Sequence, residues 1–127
     1  MKAFFHPRSV AVVGASRKNL GNYVVQNLLN GFGGSIYPVN PNYDRIEDLA
    51  CYPSVTAIPG PVEMAIVLVP PEAVPAVLNA CAEKGITRVI IESAGFSETG
   101  EAGIALQKAC SAIAENAGIR LWGPNCM

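Results

Sequence analysis

Charge is scarce in this sequence, and balanced where it occurs: nine Lys and Arg stand against ten Asp and Glu, 15% of 127 residues, for a formal net charge of −1. So neutral a chain has no basic field with which to hold a phosphodiester backbone or an anionic lipid surface, which argues against nucleic acid and membrane as partners. The longest cationic cluster is Arg17-Lys18, a size that suits a small phosphate ligand better than a polymer. Long apolar runs are also missing. No segment approaches the roughly 18–20 residues that span a bilayer, and Met1-Lys2-Ala3-Phe4-Phe5-His6-Pro7 lacks the apolar core of a signal peptide; the expected location is the cytoplasm. Four cysteines, Cys51, Cys81, Cys110 and Cys126, are scattered without a C-x-x-C pair, so neither a zinc site nor a disulfide framework is suggested. Cys81 and Cys110 are expected in the core. The only histidine, His6, has no carboxylate within several residues to orient it, which favours a surface or packing role over catalysis.

What the chain has is apolar mass. Half of its residues are hydrophobic, and domains most often run to roughly 100–150 residues, so a single domain with a sizeable core is expected. Ser9 to Gly14 is a short two-sided apolar run, the pattern of a strand buried on both faces of a parallel sheet. Asn22 to Asn30 carries Val24, Val25, Leu28 and Leu29 at helical spacing, with Gly31, Gly33 and Gly34 as its stop. Ser35 to Val39 reads as a second strand in which Pro38 fits only near an end or where a ladder bond is missing. From Asn40 to Pro61 the chain is turn-rich, with a short strand around Ala50 to Tyr52. Met64 to Val69 is the next buried strand. A helix from Glu72 to Lys84 follows, with Val74, Val77, Leu78 and Cys81 on one face, Pro75 in its first turn and Gly85 as its cap. Val89 to Ile91 is a strand. The helix from Ala102 to Ala117 is expected to turn Ile104, Leu106, Ala109, Cys110 and Ile113 inward, and Ile119 to Trp122 closes the series.

Buried strands alternating with amphipathic helices dictate an α/β fold: a doubly wound, mainly parallel sheet with helices on both faces. Ligands of such sheets lie in the crevice at the carboxyl ends of the strands, which directs attention to Gly14–Gly21, Asn40–Arg45, Val69–Glu72, Ser93–Gly100 and Gly123–Met127. The first of these loops follows a strand and opens a helix, so its backbone N–H groups and the positive helix end suit a phosphate, with Arg17 and Lys18 adding charge. A glycine needed only for the turn is the competing explanation. A dinucleotide fingerprint would want glycine where Ser16 and Asn19 stand and an acidic residue at the end of the second strand, which reads Val39-Asn40-Pro41. A mononucleotide loop, G-x-x-x-x-G-K-S/T, is absent as well. In the loop before the third helix, Ser97 or Thr99 is read as a cap, with Glu98 and Glu101 complementing the helix dipole.

Six short motifs, in order, narrow the choice: Ser9-Val10-Ala11-Val12-Val13-Gly14-Ala15-Ser16, Tyr37-Pro38-Val39-Asn40-Pro41, Tyr52-Pro53-Ser54-Val55, Val69-Pro70-Pro71, Ala94-Gly95-Phe96-Ser97-Glu98-Thr99-Gly100 and Gly123-Pro124-Asn125-Cys126. Together they resemble the Rossmann-type CoA-binding domain of the NDP-forming acyl-CoA synthetases, the family of the succinyl-CoA synthetase alpha subunit. The resemblance covers essentially the whole chain, 1–127, and implies the N-terminal part of a longer protein. It implies coenzyme A or an acyl-CoA as the ligand, with Gly14, Ala15, Ser16, Arg17, Lys18 and Gly21 around the CoA phosphates. It implies further that Val39, Asn40 and Pro41 border the adenosine, that Val69, Pro70 and Pro71 lie under the nucleotide and pantetheine, and that Ser93, Ala94 and Gly95 lie along the pantetheine path. Relatives often carry a lysine just after the second motif; here Asn42 and Tyr43 fill the stretch and Arg45 is the nearest substitute. The phosphorylated histidine of the relatives belongs to a later domain, and His6 does not match it. No catalysis is expected of this chain alone; the parent that the resemblance implies is an NDP-forming acid–CoA ligase or a related, fused protein lysine acetyltransferase. Its partners would be CoA or acyl-CoA, the downstream domains or subunit of an acid–CoA ligase and, where it oligomerises, its own copy. Two other readings stay open: a regulatory module sensing NAD(H) or another nucleotide, and a structural domain with a vestigial crevice.

Overall fold

The computed structural model describes residues 8–92 and 100–122. Its main sheet holds β1 (Ser9–Val13), β2 (Ser35–Val39), β5 (Met64–Val67), β6 (Arg88–Ile91) and β7 (Arg120–Trp122) in the order β2-β1-β5-β6-β7. Every neighbouring pair runs parallel. The small antiparallel hairpin of β3 (Arg45–Ile46) and β4 (Leu49–Ala50) stands outside it. Three α-helices lie among the described residues: α1 (Asn19–Gly31), α2 (Val74–Lys84) and α3 (Glu101–Ala117). This is the doubly wound, Rossmann-like α/β architecture that the alternation of strands and helices predicts.

The two-sided burial of β1 has a simple cause. Val10 and Val12 face one layer, with Val25 of α1 and Ile46 of the hairpin. Ala11 and Val13 face the other, with Val74, Leu78 and Cys81 of α2 and Cys110 and Ala114 of α3. The second layer also takes Val55, Ile58 and Val62, so the connection from β2 to β5, after the hairpin on the side of α1, passes to the side opposite it. The direction of winding therefore reverses between β1 and β5. Their carboxyl ends diverge there, and a crevice opens.

Pro38 sits inside edge strand β2 opposite Val12. Its carbonyl accepts the N–H of Tyr52 at 3.0 Å, and Asn40 N donates to the Tyr52 carbonyl at 2.9 Å. In a parallel strand a residue's N and O point to the same side, so the donor that Pro38 lacks is missing from the outer edge and the ladder to β1 is intact. The short strand read around Ala50 to Tyr52 divides in two: Leu49–Ala50 pairs with Arg45–Ile46, and Tyr52 alone bridges Val39.

Four local expectations are corrected. Helix α1 starts at Asn19, three residues before the apolar spacing begins, because Asn19 adopts a left-handed backbone (φ 60°) that lets the chain turn straight from the loop into the helix. The helix read from Glu72 begins as a 3-10 turn, Pro71–Ala73, and becomes α-helical at Val74. Strand β5 ends at Val67 and not at Val69. In α3 the residues turned inward are Gly103, Cys110 and Ala114, while Ile104 is 43% exposed and Ala109 faces solvent. Small side chains let this helix lie close to its neighbours, and Leu106 and Ile113 flank the contact. Gly85 caps α2 as read, in the left-handed region at φ 91°, and Gly118, not singled out from the sequence, does the same for α3 at 72°.

Candidate functional site

A cleft of about 280 Å³ lies at the carboxyl edge of the sheet, where the winding reverses. Its floor is Val13 and Gly14 from the end of β1 and Val69 beyond β5. Val39, Asn40 and Pro41 form one wall with Pro53, Ser54 and Val55; Ala76, Val77 and Ala80 of α2 form the other. Among the described residues of this lining, Asn40 and Ser54 are the only polar side chains, so the cleft suits a ligand with an apolar stretch and few polar anchors.

Gly14 is required here for two reasons. Its φ of +97° disfavours any residue with a side chain, and a Cβ would stand 3.1 Å from the Leu68 carbonyl carbon and from Leu68 Cβ. Its N–H donates to Val39 O at 2.9 Å, and Leu68 N donates to Val13 O at 2.7 Å, so the three strand ends are still tied at the point where the loop leaves. Gly21 answers a different constraint. A Cβ there would lie 2.6 Å from Gly14 O and 2.7 Å from Ser16 Oγ, because α1 starts hard against the loop.

Between these glycines the loop is held by its carbonyls. Asn40 Nδ2 donates to Ala15 O at 2.8 Å, and Asn22 Nδ2 donates to Ser16 O at 3.2 Å. Ser16 Oγ donates to Lys18 O while accepting from Lys18 N at 3.3 Å. The backbone N–H groups of Ala15, Ser16 and Arg17 make no hydrogen bond among the described residues. Fixed carbonyls and unengaged donors beside a helix N-terminus have the chemistry of an anion cradle.

Of the residues singled out from the sequence, Gly14, Val39, Asn40, Pro41 and Val69 meet in the cleft. Ala15, Ser16, Lys18 and Gly21 belong to the adjoining loop and helix start, and Pro70 and Pro71 lead from Val69 into the 3-10 turn before α2. Arg17 points away toward the hairpin: Nε and Nη2 donate to Arg45 O at 3.1 and 2.9 Å, and the guanidinium lies 5.2 Å from the centre of the Tyr43 ring. The Arg45 guanidinium is engaged with its own turn, donating to Asp48 O at 3.0 Å. Ser93, Ala94 and Gly95, the cap at Ser97 or Thr99, His6 and the Gly123–Met127 loop lie outside the described residues.

Sequence reasoning missed the walls built by Pro53, Ser54 and Val55 and by Ala76, Val77 and Ala80. The available signal was the pair Ala76 and Ala80, small residues one helical turn apart beside the apolar stripe of α2. Cys51 stands behind the site, its Sγ donating to Asn40 O at 3.6 Å; burial pushes the thiol up. A raised thiol pKa makes a poor nucleophile. The described residues hold no group of three or more His, Cys, Asp or Glu that could bind a metal, and none of their helices is long and apolar enough to cross a membrane.

Known proteins share much of this sequence, and solved structures share the fold. Acetate–CoA ligase (ADP-forming) II of Archaeoglobus fulgidus is 51% identical over 98% of this chain, which spans 19% of that protein. The alpha subunit of acetate–CoA ligase (ADP-forming) II of Pyrococcus furiosus is 45% identical over 98% of the chain, which spans 28% of it. Among solved structures, the apo form of a dinucleotide-forming acetyl-coenzyme A synthetase 1 from Ca. Korarchaeum cryptofilum superposes with a TM-score of 0.92 at 35% identity, covering 98% of this chain and 27% of that one. A conserved hypothetical protein of Pyrococcus furiosus has a TM-score of 0.72 at 33% identity and covers 90% of both chains. The profile described as the CoA binding domain matches residues 8–127, and the chain belongs to that family.

Proposed function

We propose that this chain binds coenzyme A or an acyl-CoA across the carboxyl edge of its sheet, as the CoA-binding domain of an acid–CoA ligase of the ADP-forming kind. Residues 1–127 are then the N-terminal part of a longer protein, and phosphoryl and acyl transfer belong to downstream domains or a partner subunit. The observation that carries this reading is the junction of two unlike surfaces: an anion cradle at Gly14 to Gly21, continuous through Gly14 with an apolar cleft walled by α2. Coenzyme A has the same division, with phosphates at one end and a long, mostly apolar pantetheine arm at the other.

In detail, the N–H groups of Ala15, Ser16 and Arg17 and the positive end of α1 receive the pyrophosphate, with Lys18 adding charge and Gly21 allowing the close approach. Val39, Asn40 and Pro41 border the adenosine, with Arg45 nearby. Val69, Pro70 and Pro71 support the passage into the cleft, and Ser93, Ala94 and Gly95 continue the pantetheine path. Binding of NAD is disfavoured because Asn40, a neutral residue already committed to Ala15 O and to Asn42 N at 2.8 Å, stands where a ribose diol would want a carboxylate.

Calorimetric titration with CoA, acetyl-CoA and NAD tests the reading. Micromolar CoA binding with no NAD binding is the expected result. NAD binding in its place would point to a nucleotide-sensing module, and no binding at all to a structural domain.

A further inference from the structure

We infer that the Arg17 side chain is the specificity determinant for the phosphorylated ribose of the ligand, held for that task by Tyr43 and the Arg45 carbonyl, and that its guanidinium does not bind the pyrophosphate, to which Arg17 gives only its backbone N–H. The inference rests on the CoA reading and goes beyond it by assigning one cation to one phosphate.

Three observations carry it. First, Arg17 starts in the loop after β1 but its guanidinium reaches the segment after β2, donating to Arg45 O and lying over Tyr43. In doubly wound sheets the pyrophosphate sits at the first helix N-terminus, while the ribose lies at the end of the second strand, where an arginine accommodates a ribose phosphate when there is one. Arg17 has been drawn from the first position to the second. Second, the two bonds to Arg45 O use Nε and Nη2 and leave Nη1 out, so one edge of a planar guanidinium with fixed orientation remains for an incoming anion. Arg45 is not equivalent, since its own guanidinium is turned to Asp48 O.

Third, the hairpin that presents Arg45 O is anchored at a conformational cost. Its turn residues Glu47 and Asp48 have φ of 51° and 69°, a left-handed pair that favours Asn or Gly. The Glu47 carboxylate accepts from Asn22 Nδ2 at 2.9 Å and from Gln26 Nε2 at 3.4 Å, so the strained turn is clasped to α1. The clasp, the hairpin and the stacked ring fix the guanidinium relative to the loop that holds the pyrophosphate. Asp44, Glu47 and Asp48 put three carboxylates on this segment; a phosphate near Tyr43 therefore needs a cation of its own.

The experiment compares CoA with 3′-dephospho-CoA by calorimetry on the unaltered chain and on Arg17→Gln, Tyr43→Leu and Lys18→Gln. The unaltered chain should prefer CoA by roughly 10–100-fold, the scale of a hydrogen-bonded charge pair. Arg17→Gln should bring that ratio close to one while leaving 3′-dephospho-CoA affinity within about twofold. Tyr43→Leu should lower the ratio in part. Lys18→Gln should weaken both ligands alike and leave the ratio unchanged. Because both ligands are measured on one preparation, any loss of folded protein cancels in the ratio. An Arg17→Gln ratio equal to that of the unaltered chain, or equal losses for both ligands, overturns the assignment while CoA binding stands. Failure of the unaltered chain to bind either ligand overturns the CoA reading and the inference with it.

Discussion

Asn40 Nδ2 donates to the carbonyl oxygen of Ala15 at 2.8 Å, while Asn40 Oδ1 accepts the N–H of Asn42 at 2.8 Å. One half-buried side chain thus joins the loop after β1 to the turn after β2, the two segments on either side of the cleft mouth. Asn40→Asp keeps the acceptor for Asn42 but loses the donor and sets a carboxylate against a carbonyl. A loss of about 1–3 kcal/mol of stability is expected, larger than that of Asn40→Ala, which leaves Ala15 O without a partner but repels nothing. Urea unfolding of the two variants checks the order; equal stability of Asn40→Asp and the unaltered protein would remove the tie from the account.

The two glycines of α1 should respond oppositely to alanine. At Gly21 the new methyl group would meet Gly14 O at 2.6 Å and the Ser16 backbone nitrogen at 2.9 Å, so backbone must move. The expected cost is about 1–3 kcal/mol, with a drop in CoA affinity as the anion cradle shifts. At Gly31, the last residue of α1, nothing lies within 4 Å of a Cβ. There Gly31→Ala should be neutral or stabilise by up to about 1 kcal/mol, through lower entropy of the unfolded chain. Thermal melts of the pair, with a CoA titration of each, decide the matter.

Alkaline pH should destabilise the fold through Cys81. Burial holds this thiol protonated up to about 12, against an ordinary value of 9.0. Between those two values the unfolded chain has released a proton that the folded chain retains, so raising the pH favours unfolding. The stabilising contribution is complete below pH 9 and is lost progressively toward 12, with a slope approaching about 1.4 kcal/mol per pH unit. Other groups titrate in the same range, so the measurement is a difference: urea midpoints of the unaltered protein and Cys81→Ala, from pH 8 upward. The unaltered protein should decline more steeply, and parallel curves would refute the role of the thiol.

Some of this molecule could be read from its residues alone, and some could not. The runs in β1, β5 and β6 were legible because burial on both faces leaves an apolar run, and Gly14 was legible because a strand, a glycine and a helix follow one another. The start of α1 was hidden: Lys18 is no capping residue and makes no side-chain cap, while the turn is made by Asn19 at positive φ. Helix α3 was legible in part: Cys110 is buried as its spacing predicts, and Leu106 and Ile113 flank the contact. Hydrophobic spacing also selects large residues such as Ile104, which is exposed, and passes over Gly103 and Ala114, which close packing buries. The hairpin has strands of two residues each, too short for any period to show, and Glu47 gives no sign of a left-handed turn. Consequently the link from Arg17 to the second half of the site was invisible, although Arg17 itself was singled out.

The wall that α2 gives the cleft offers a test independent of every charged group. Ala76 is exposed and borders the cleft, one helical turn before Ala80. Ala76→Phe should leave the helix nearly as stable as before, because the position is outside the core and the helix-propensity difference is only a few tenths of a kcal/mol. The added ring would occupy the space above Val77, through which the pantetheine arm is to run. Affinity for CoA should fall tenfold or more, whereas adenosine 3′,5′-bisphosphate, which carries the 3′-phosphate and the first of the two 5′-phosphates and lacks the arm, should bind as before. Equal loss for both ligands would mean that the ring disturbs the anion cradle, and loss for neither would move the arm out of this cleft.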